Sequence, residues 1–132
     1  MSERVYKIMT VDDSAIMRRI VSNCVDRTLK GQSEFLLFEA EDGEKAWQRL
    51  EENPDMDVIF LDWNMPNMNG EELVIKMRED DRFKKTRIVM VTTEGGKDKV
   101  TGIAKKGVNG YIVKPFTPDK IETKLKELLA RL

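Results

Sequence analysis

Apolar positions along this chain follow two periods. Short, nearly unbroken runs at Tyr6–Val11, Phe35–Ala40, Val58–Asp62, Arg87–Val91 and Asn109–Val113 have the length and bounds of strands. Between them, apolar residues recur every three or four positions, as on one face of a helix. Ile16, Ile20, Val21, Cys24 and Val25 do so within Ala15–Lys30. Ala46, Trp47 and Leu50 do so within Glu44–Glu52, and Leu73, Val74 and Met77 within Glu71–Asp81. Further helices are expected over Asp98–Lys106 and Pro118–Leu132. Gly31 ends the first helix and Pro54 stops the second, while residues 63–70 read as a loop. The run Val58–Asp62 is apolar almost throughout, as a strand covered on both faces requires.

Five strand–helix units in alternation predict a doubly wound α/β domain: a five-stranded parallel sheet, right-handed crossovers, and five helices on its two faces. There is no internal repeat, low-complexity tract or linker, so a single domain over residues 1–132 is expected, without an output domain.

Composition narrows the class. Hydrophobic residues make up 40% and charged residues 36%, the balance of a globular chain. No apolar stretch approaches the roughly 20 residues of a membrane span, and the N-terminus lacks the apolar core of a signal peptide. Cys24 stands alone and cannot form an internal disulfide, which points to the cytoplasm. Within its helical pattern it reads as a buried small hydrophobe. The chain has no histidine, which removes Ser-His-Asp and Cys-His catalysis, histidine zinc sites and any phosphohistidine of its own. Gly95-Gly96-Lys97 is not a phosphate-binding P-loop, because the motif's first glycine would fall at Val91. Charge is uneven: residues 39–81 carry 14 acids against 4 bases, and residues 82–132 carry 5 acids against 13 bases. On charge alone the basic third suits nucleic acid, an acidic protein partner or plain solvated helix faces. DNA is not expected, since neither a helix-turn-helix nor an aromatic-interleaved basic patch is present.

The candidate chemistry lies where the apolar runs stop. Asp12 and Asp13 follow the first, Asp62 closes the third, Thr92 and Thr93 follow the fourth, and Lys114-Pro115 follows the fifth. Parallel strands would bring all of these to one carboxyl edge, where open α/β sheets bind ligands. Clustered carboxylates there attract a hard cation, and a lysine and a hydroxyl beside them suit a phosphoryl group.

Asp12-Asp13, then Asp62-Trp63-Asn64-Met65-Pro66 with Gly70, then Thr92, then Lys114-Pro115 resemble the signature of response-regulator receiver domains, over essentially the whole chain. Trp63-Asn64, Glu94, Tyr111 and Phe116-Thr117 look most like the family's stand-alone chemotaxis receivers. The resemblance, and not the periodicity, implies the flavodoxin-like strand order 2-1-3-4-5. It also implies that Asp62 accepts a phosphoryl group from a chemotaxis-type histidine kinase. A carboxylate is a poor nucleophile toward an anionic phosphoryl group, so the reaction needs a neutralising Mg²⁺. By resemblance Asp13, Asp62 and the Asn64 backbone carbonyl hold that ion, and Asp12 acts mainly through metal-bound water. Lys114, on a cis Lys114-Pro115 bond, and Thr92 would each take a phosphoryl oxygen. Thr92 and Tyr111 would form the switch, Asn64 and Glu94 would tune the lifetime of the aspartyl phosphate, and Lys97, Lys105, Lys106, Tyr111, Lys120 and Lys124 would face the output partner.

The resemblance further implies a flagellar motor switch protein and a phosphatase as partners, and a monomer that works without DNA or membrane insertion. It implies no enzymatic activity beyond Mg²⁺-dependent self-phosphorylation and autodephosphorylation at Asp62. An alternative role is a phosphorelay intermediate or phosphate sink, which a long-lived aspartyl phosphate would favour. A phosphohydrolase fits poorly, because such enzymes commonly use a second aspartate two residues after the nucleophile, and here that residue is Asn64. The chain departs from the shortest receivers in a longer stretch over Thr28–Glu34, and Thr93 stands where a small residue is common.

Overall fold

Successive side chains of the central strands enter two different cores, and this alternation organises the molecule. The computed structural model describes residues 4–93, 102 and 107–132. Its elements are β1 (Val5–Val11), α1 (Ala15–Leu29), β2 (Glu34–Ala40), α2 (Gly43–Glu52), β3 (Val58–Leu61), α3 (Gly70–Arg78), a 3₁₀ turn (Asp81–Phe83), β4 (Arg87–Thr92), β5 (Gly110–Val113) and α4 (Pro118–Leu129). The strands are parallel in the order β2-β1-β3-β4-β5, as the resemblance implied. The helix expected over Asp98–Lys106 lies, Gly102 apart, outside the described residues, as do Glu94 and Lys97. Four α-helices are therefore described where five were expected.

Met9, Val11, Ile59, Leu61, Ile88 and Met90 pack with α2 and α3 on one face. Ile8, Val58, Phe60, Val89 and Val91 pack with α1 and α4 on the other. All four residues of β3 are buried, in keeping with their apolar run. Cys24 is buried in the second core, and burial pushes its thiol pKa up, which suits an inert filler. Among the described residues, no helix is long and apolar enough to cross a membrane.

The third helix was expected to reach Asp81 but stops at Arg78. Arg78 turns its guanidinium onto backbone oxygens that converge there. Nε donates to Gly107 O at 2.9 Å, Nη1 to Phe83 O at 2.8 Å, and Nη2 to Thr86 O at 2.8 Å. The Asp80 side chain then caps the 3₁₀ turn through Arg82 N, and the turn drives Phe83 into the core. The last helix likewise ends at Leu129, three residues before the expected end.

Asp42 begins α2. Its carboxylate accepts from Lys45 N at 2.9 Å and from Asn67 Nδ2 at 2.8 Å, so it caps the helix and anchors the β3–α3 loop. Burial alone would raise its pKa, but these N–H bonds outweigh it and hold the carboxyl below its ordinary value. Its contribution is therefore complete above the unfolded-state pKa and is lost as pH falls through the folded one. Asp42→Ala removes a cap and a bond between partly buried groups, together about 2 kcal/mol. A drop in melting temperature of roughly 6–10 °C at pH 7, shrinking in strong acid, is expected by calorimetry.

Candidate functional site

The backbone ladder runs one residue past the ends of the strands and so aims the site. Asp12 N donates to Ala40 O at 3.1 Å, Asp62 N to Val11 O at 2.9 Å, and Lys114 N to Thr92 O at 2.8 Å. Each residue follows an apolar strand whose register is set by the two cores, so neither carboxylate nor the lysine can slip along the sheet. Asp12, Asp62 and Thr92 are buried, at 3%, 7% and 0% exposure, while Asp13 stands exposed at the mouth.

Asp12, Asp13 and Asp62 each offer a carboxylate oxygen, all within 4.8 Å of one another. Lys114 Nζ lies 2.7 Å from Asp12 Oδ2 and 3.6 Å from Asp62 Oδ2. Its tight bond is thus to Asp12, and Asp62 is the second neighbour. Burial pushes the Asp62 carboxyl above its ordinary pKa, and the nearby Asp12 charge adds to this. Lys114 and the backbone N–H groups of Asn64 and Trp63 oppose it. Among the described residues, three carboxylates against one ammonium leave a local excess of negative charge. An oxygen-only donor set of this kind, one member open to solvent, fits Mg²⁺, which keeps several waters and binds through one or two carboxylates.

The loop after Asp62 is held tightly against the strand end. Gly70 N donates to Trp63 O at 2.9 Å, and a Cβ on Gly70 would stand 2.5 Å from the Asp62 carbonyl, so only glycine fits. On the far side, Gly43 N donates to Met68 O at 3.0 Å, and a Cβ there would meet that oxygen at 2.4 Å. Asn69 and Glu72 form a reciprocal capping box that starts α3. Asn64 is exposed in this loop, with its N–H 3.4 Å from Asp62 Oδ1, at the long limit of a hydrogen bond.

The expected Lys114-Pro115 cis peptide is present. Thr92 ends β4 next to Val113 in register, and Tyr111, half-buried on β5, packs against the α2–α3 core. Lys120 and Lys124 flank a hollow of about 550 Å³ between β5 and α4, lined also by Tyr111, Val113 and Phe116. Lys97, Lys105, Lys106 and Glu94 lie outside the described residues. Asp42 and Asn67, which tie the site loop to α2, are not among the residues that the sequence singles out. Asp42 carried a local signal, standing as a capping residue just before an apolar-periodic segment.

The response regulator receiver domain family matches residues 8–126. Chemotaxis protein CheY1 of Helicobacter pylori is 51% identical over 123 residues, covering 93% of this chain and 96% of that protein. The CheY homolog of Campylobacter jejuni is 50% identical over 123 residues, covering 93% and 92%. The structure of CheY4 from Vibrio cholerae matches with a TM-score of 0.81 at 33% identity, covering 95% of this chain and 99% of that one. The complex of CheX, CheY, BeF₃ and Mg²⁺ from Borrelia burgdorferi matches with a TM-score of 0.79 at 25% identity, covering 94% and 89%. With strand order, carboxylate cluster and relatives all in agreement, this chain belongs to the response-regulator receiver family, among its CheY-like chemotaxis members.

Proposed function

We propose that this protein is a phosphorylation-switched response regulator that accepts a phosphoryl group on Asp62 from a separate histidine kinase and signals by binding the flagellar motor switch. The observation that carries this reading is Asp62 itself. It is a buried carboxylate at the end of a central strand, with two further acids and an ammonium around it. The chain has no histidine, so the phosphohistidine comes from another protein. An Asp62 carboxylate oxygen attacks phosphorus as the bond to the donor's imidazole nitrogen breaks, and solvent reprotonates the departing imidazole. Mg²⁺, held by Asp13, Asp62 and the Asn64 carbonyl with Asp12 acting mainly through metal-bound water, would supply the positive charge that lets an anionic nucleophile meet an anionic phosphoryl group.

Lys114 then turns part of its charge from Asp12 to a phosphoryl oxygen, a short move for an ammonium already 3.6 Å from Asp62. The Thr92 hydroxyl takes a second oxygen, and Tyr111 rotates into the space that Thr92 leaves. A local charge event thereby biases a two-state element on β5. Asp62 is modified and regenerated within the chain, so the protein acts as its kinase's substrate and not as a turnover catalyst. Asn64 and Glu94 set how fast water resets it, a phosphatase assists, and the protein works as a cytoplasmic monomer. The CheX–CheY complex with BeF₃ and Mg²⁺ supports this chemistry by similarity.

Binding to the motor switch protein, followed by fluorescence anisotropy with and without beryllofluoride and Mg²⁺, tests the reading. Affinity is expected to rise at least tenfold with the adduct. Reversal of Lys120 and Lys124 to glutamate is expected to lower it by about 1 kcal/mol per charge, while labelling of Asp62 by acetyl phosphate continues. Equal affinity in both states, or an aspartyl phosphate that lasts hours, would turn the assignment toward a phosphate sink.

A further inference from the structure

We propose that Arg18, backed by Glu39, is a positioning residue that holds the Asp12–Asp13 turn in the shape needed to bind a divalent cation. The proposal deepens the site reading above and rests on it. β1 ends at Val11, whose own carbonyl accepts from Asp62 N. One residue later, among the described residues, the sheet's bond is on the β2 side, from Asp12 N to Ala40 O. The Asp12 carbonyl, on a residue 3% exposed, takes its hydrogen bond from Arg18 Nη1 at 2.7 Å. A buried carbonyl left without a donor costs free energy, so this bond holds the turn to one geometry.

The guanidinium is itself held. Arg18 Nε donates to Glu39 Oε1 at 2.9 Å, and Glu39 stands one residue before the end of β2. Glu39 is half exposed and the pair opens into a polar groove of about 440 Å³ shared with Lys45 and Arg49. Water screens the attraction there, so the pair's effect lies in orientation more than in charge. The Asp12 carboxylate is tied independently, through Oδ1 to Ser14 N at 2.9 Å and through Oδ2 to Lys114 at 2.7 Å. Arg18 is therefore a side chain that can be removed to free the Asp12 backbone while the Asp12 carboxylate keeps both of its own partners. Asp13 follows directly on that backbone, and its direction depends on it.

Two effects of opposite sign separate a positioning role from a mere nearby charge. Losing a cation beside three carboxylates would tighten Mg²⁺ binding by electrostatics alone. Losing the clamp would weaken it, and outer groups that orient metal ligands typically matter by about tenfold or more. Mg²⁺ is titrated without a phosphodonor, by Trp63 fluorescence in a Trp47→Phe background. Arg18→Ala is expected to raise the Mg²⁺ dissociation constant about tenfold. Glu39→Gln, which keeps the acceptor oxygen, is expected to stay within about twofold of the parent, and Arg18→Lys to fall between. Acetyl phosphate labelling of Arg18→Ala is expected to need more Mg²⁺ for half-maximal rate while reaching a similar maximum. Met56→Ala, a core truncation at the opposite edge of the sheet, controls for lost stability.

Mg²⁺ binding by Arg18→Ala that equals or exceeds the parent's overturns the proposal, as does an equal loss in Met56→Ala. If the parent protein binds no Mg²⁺, the site reading falls and the clamp with it. Normal parental binding with unchanged Arg18→Ala binding defeats the clamp alone.

Discussion

Asp62→Asn protein given acetyl phosphate and Mg²⁺ is expected to take up no label at its site, because the amide cannot form the stable acyl phosphate. The substitution is nearly isosteric, and the backbone bond from residue 62 to Val11 O does not involve the side chain. Lys114 keeps its 2.7 Å bond to Asp12, so the fold and the rest of the site should persist. Intact-protein mass spectrometry reads the result, and labelling of the variant at residue 62 to the parental level would remove Asp62 as the acceptor. A second outcome follows from the electrostatics. Burial and Asp12 raise the Asp62 pKa in the folded chain above its unfolded value. The folded state then holds its proton more tightly, so stability falls as pH rises from the unfolded pKa to the folded one. Above the folded pKa the metal-free parent carries that penalty in full, and the asparagine variant does not. Metal-free Asp62→Asn is thus expected to melt at a higher temperature than the parent at such pH, with the difference fading below the unfolded pKa.

Removal of Asp13 and removal of Lys114 are expected to move Mg²⁺ affinity in opposite directions. Asp13 contributes one of three carboxylate oxygens that lie within 4.8 Å of one another, and it is the exposed one. Asp13→Ala deletes a ligand and a negative charge together, and a loss of more than tenfold, at least about 1.4 kcal/mol, is expected. Lys114 already acts as a cation in the cluster, 2.7 Å from Asp12 and 3.6 Å from Asp62. An incoming metal competes with it for the same oxygens, so Lys114→Ala should bind Mg²⁺ more tightly. The same change strips buried carboxylates of their partner, so its metal-free form should be the less stable. Added Mg²⁺ should then raise its melting temperature more than it raises the parent's. The Trp63 titration measures the first effect and calorimetry the second. Parallel losses in the two variants would contradict the opposed roles.

An acceptor carboxylate has to be reachable and reactive, and crowding it with like charge keeps the empty site under strain that a cation relieves. Arg18 and Asp42 act differently: each bonds a loop that carries candidate metal ligands, Arg18 at the Asp12 carbonyl after β1 and Asp42 at Asn67 in the β3–α3 loop. Tight glycine packing at Gly70 serves the same end.

Much of the fold was legible in the sequence because its causes are local. A strand covered on both faces must be apolar throughout, which made Val58–Leu61 visible, and one-sided helices repeat their apolar residues every three or four positions. Most of the site was legible for a related reason. Parallel strands send the residue after each apolar run to a common edge, so Asp12, Asp62, Thr92 and Lys114 could be gathered before any coordinate was known. The capping pattern Asn69 to Glu72 was equally local and was passed over inside a loop. Only the tertiary structure decided that Lys114 bonds Asp12 more closely than Asp62, that Arg78 ends α3, and that Arg18 reaches back to Asp12. Arg18 sits in a helix where it reads as one more polar position, and its partner Glu39 is 21 residues away. Arg78 bonds backbone oxygens up to 29 residues distant. Every residue offers the same carbonyl, so a side chain that bonds one leaves no mark on its partner's identity, and the fold alone determines which carbonyl it meets.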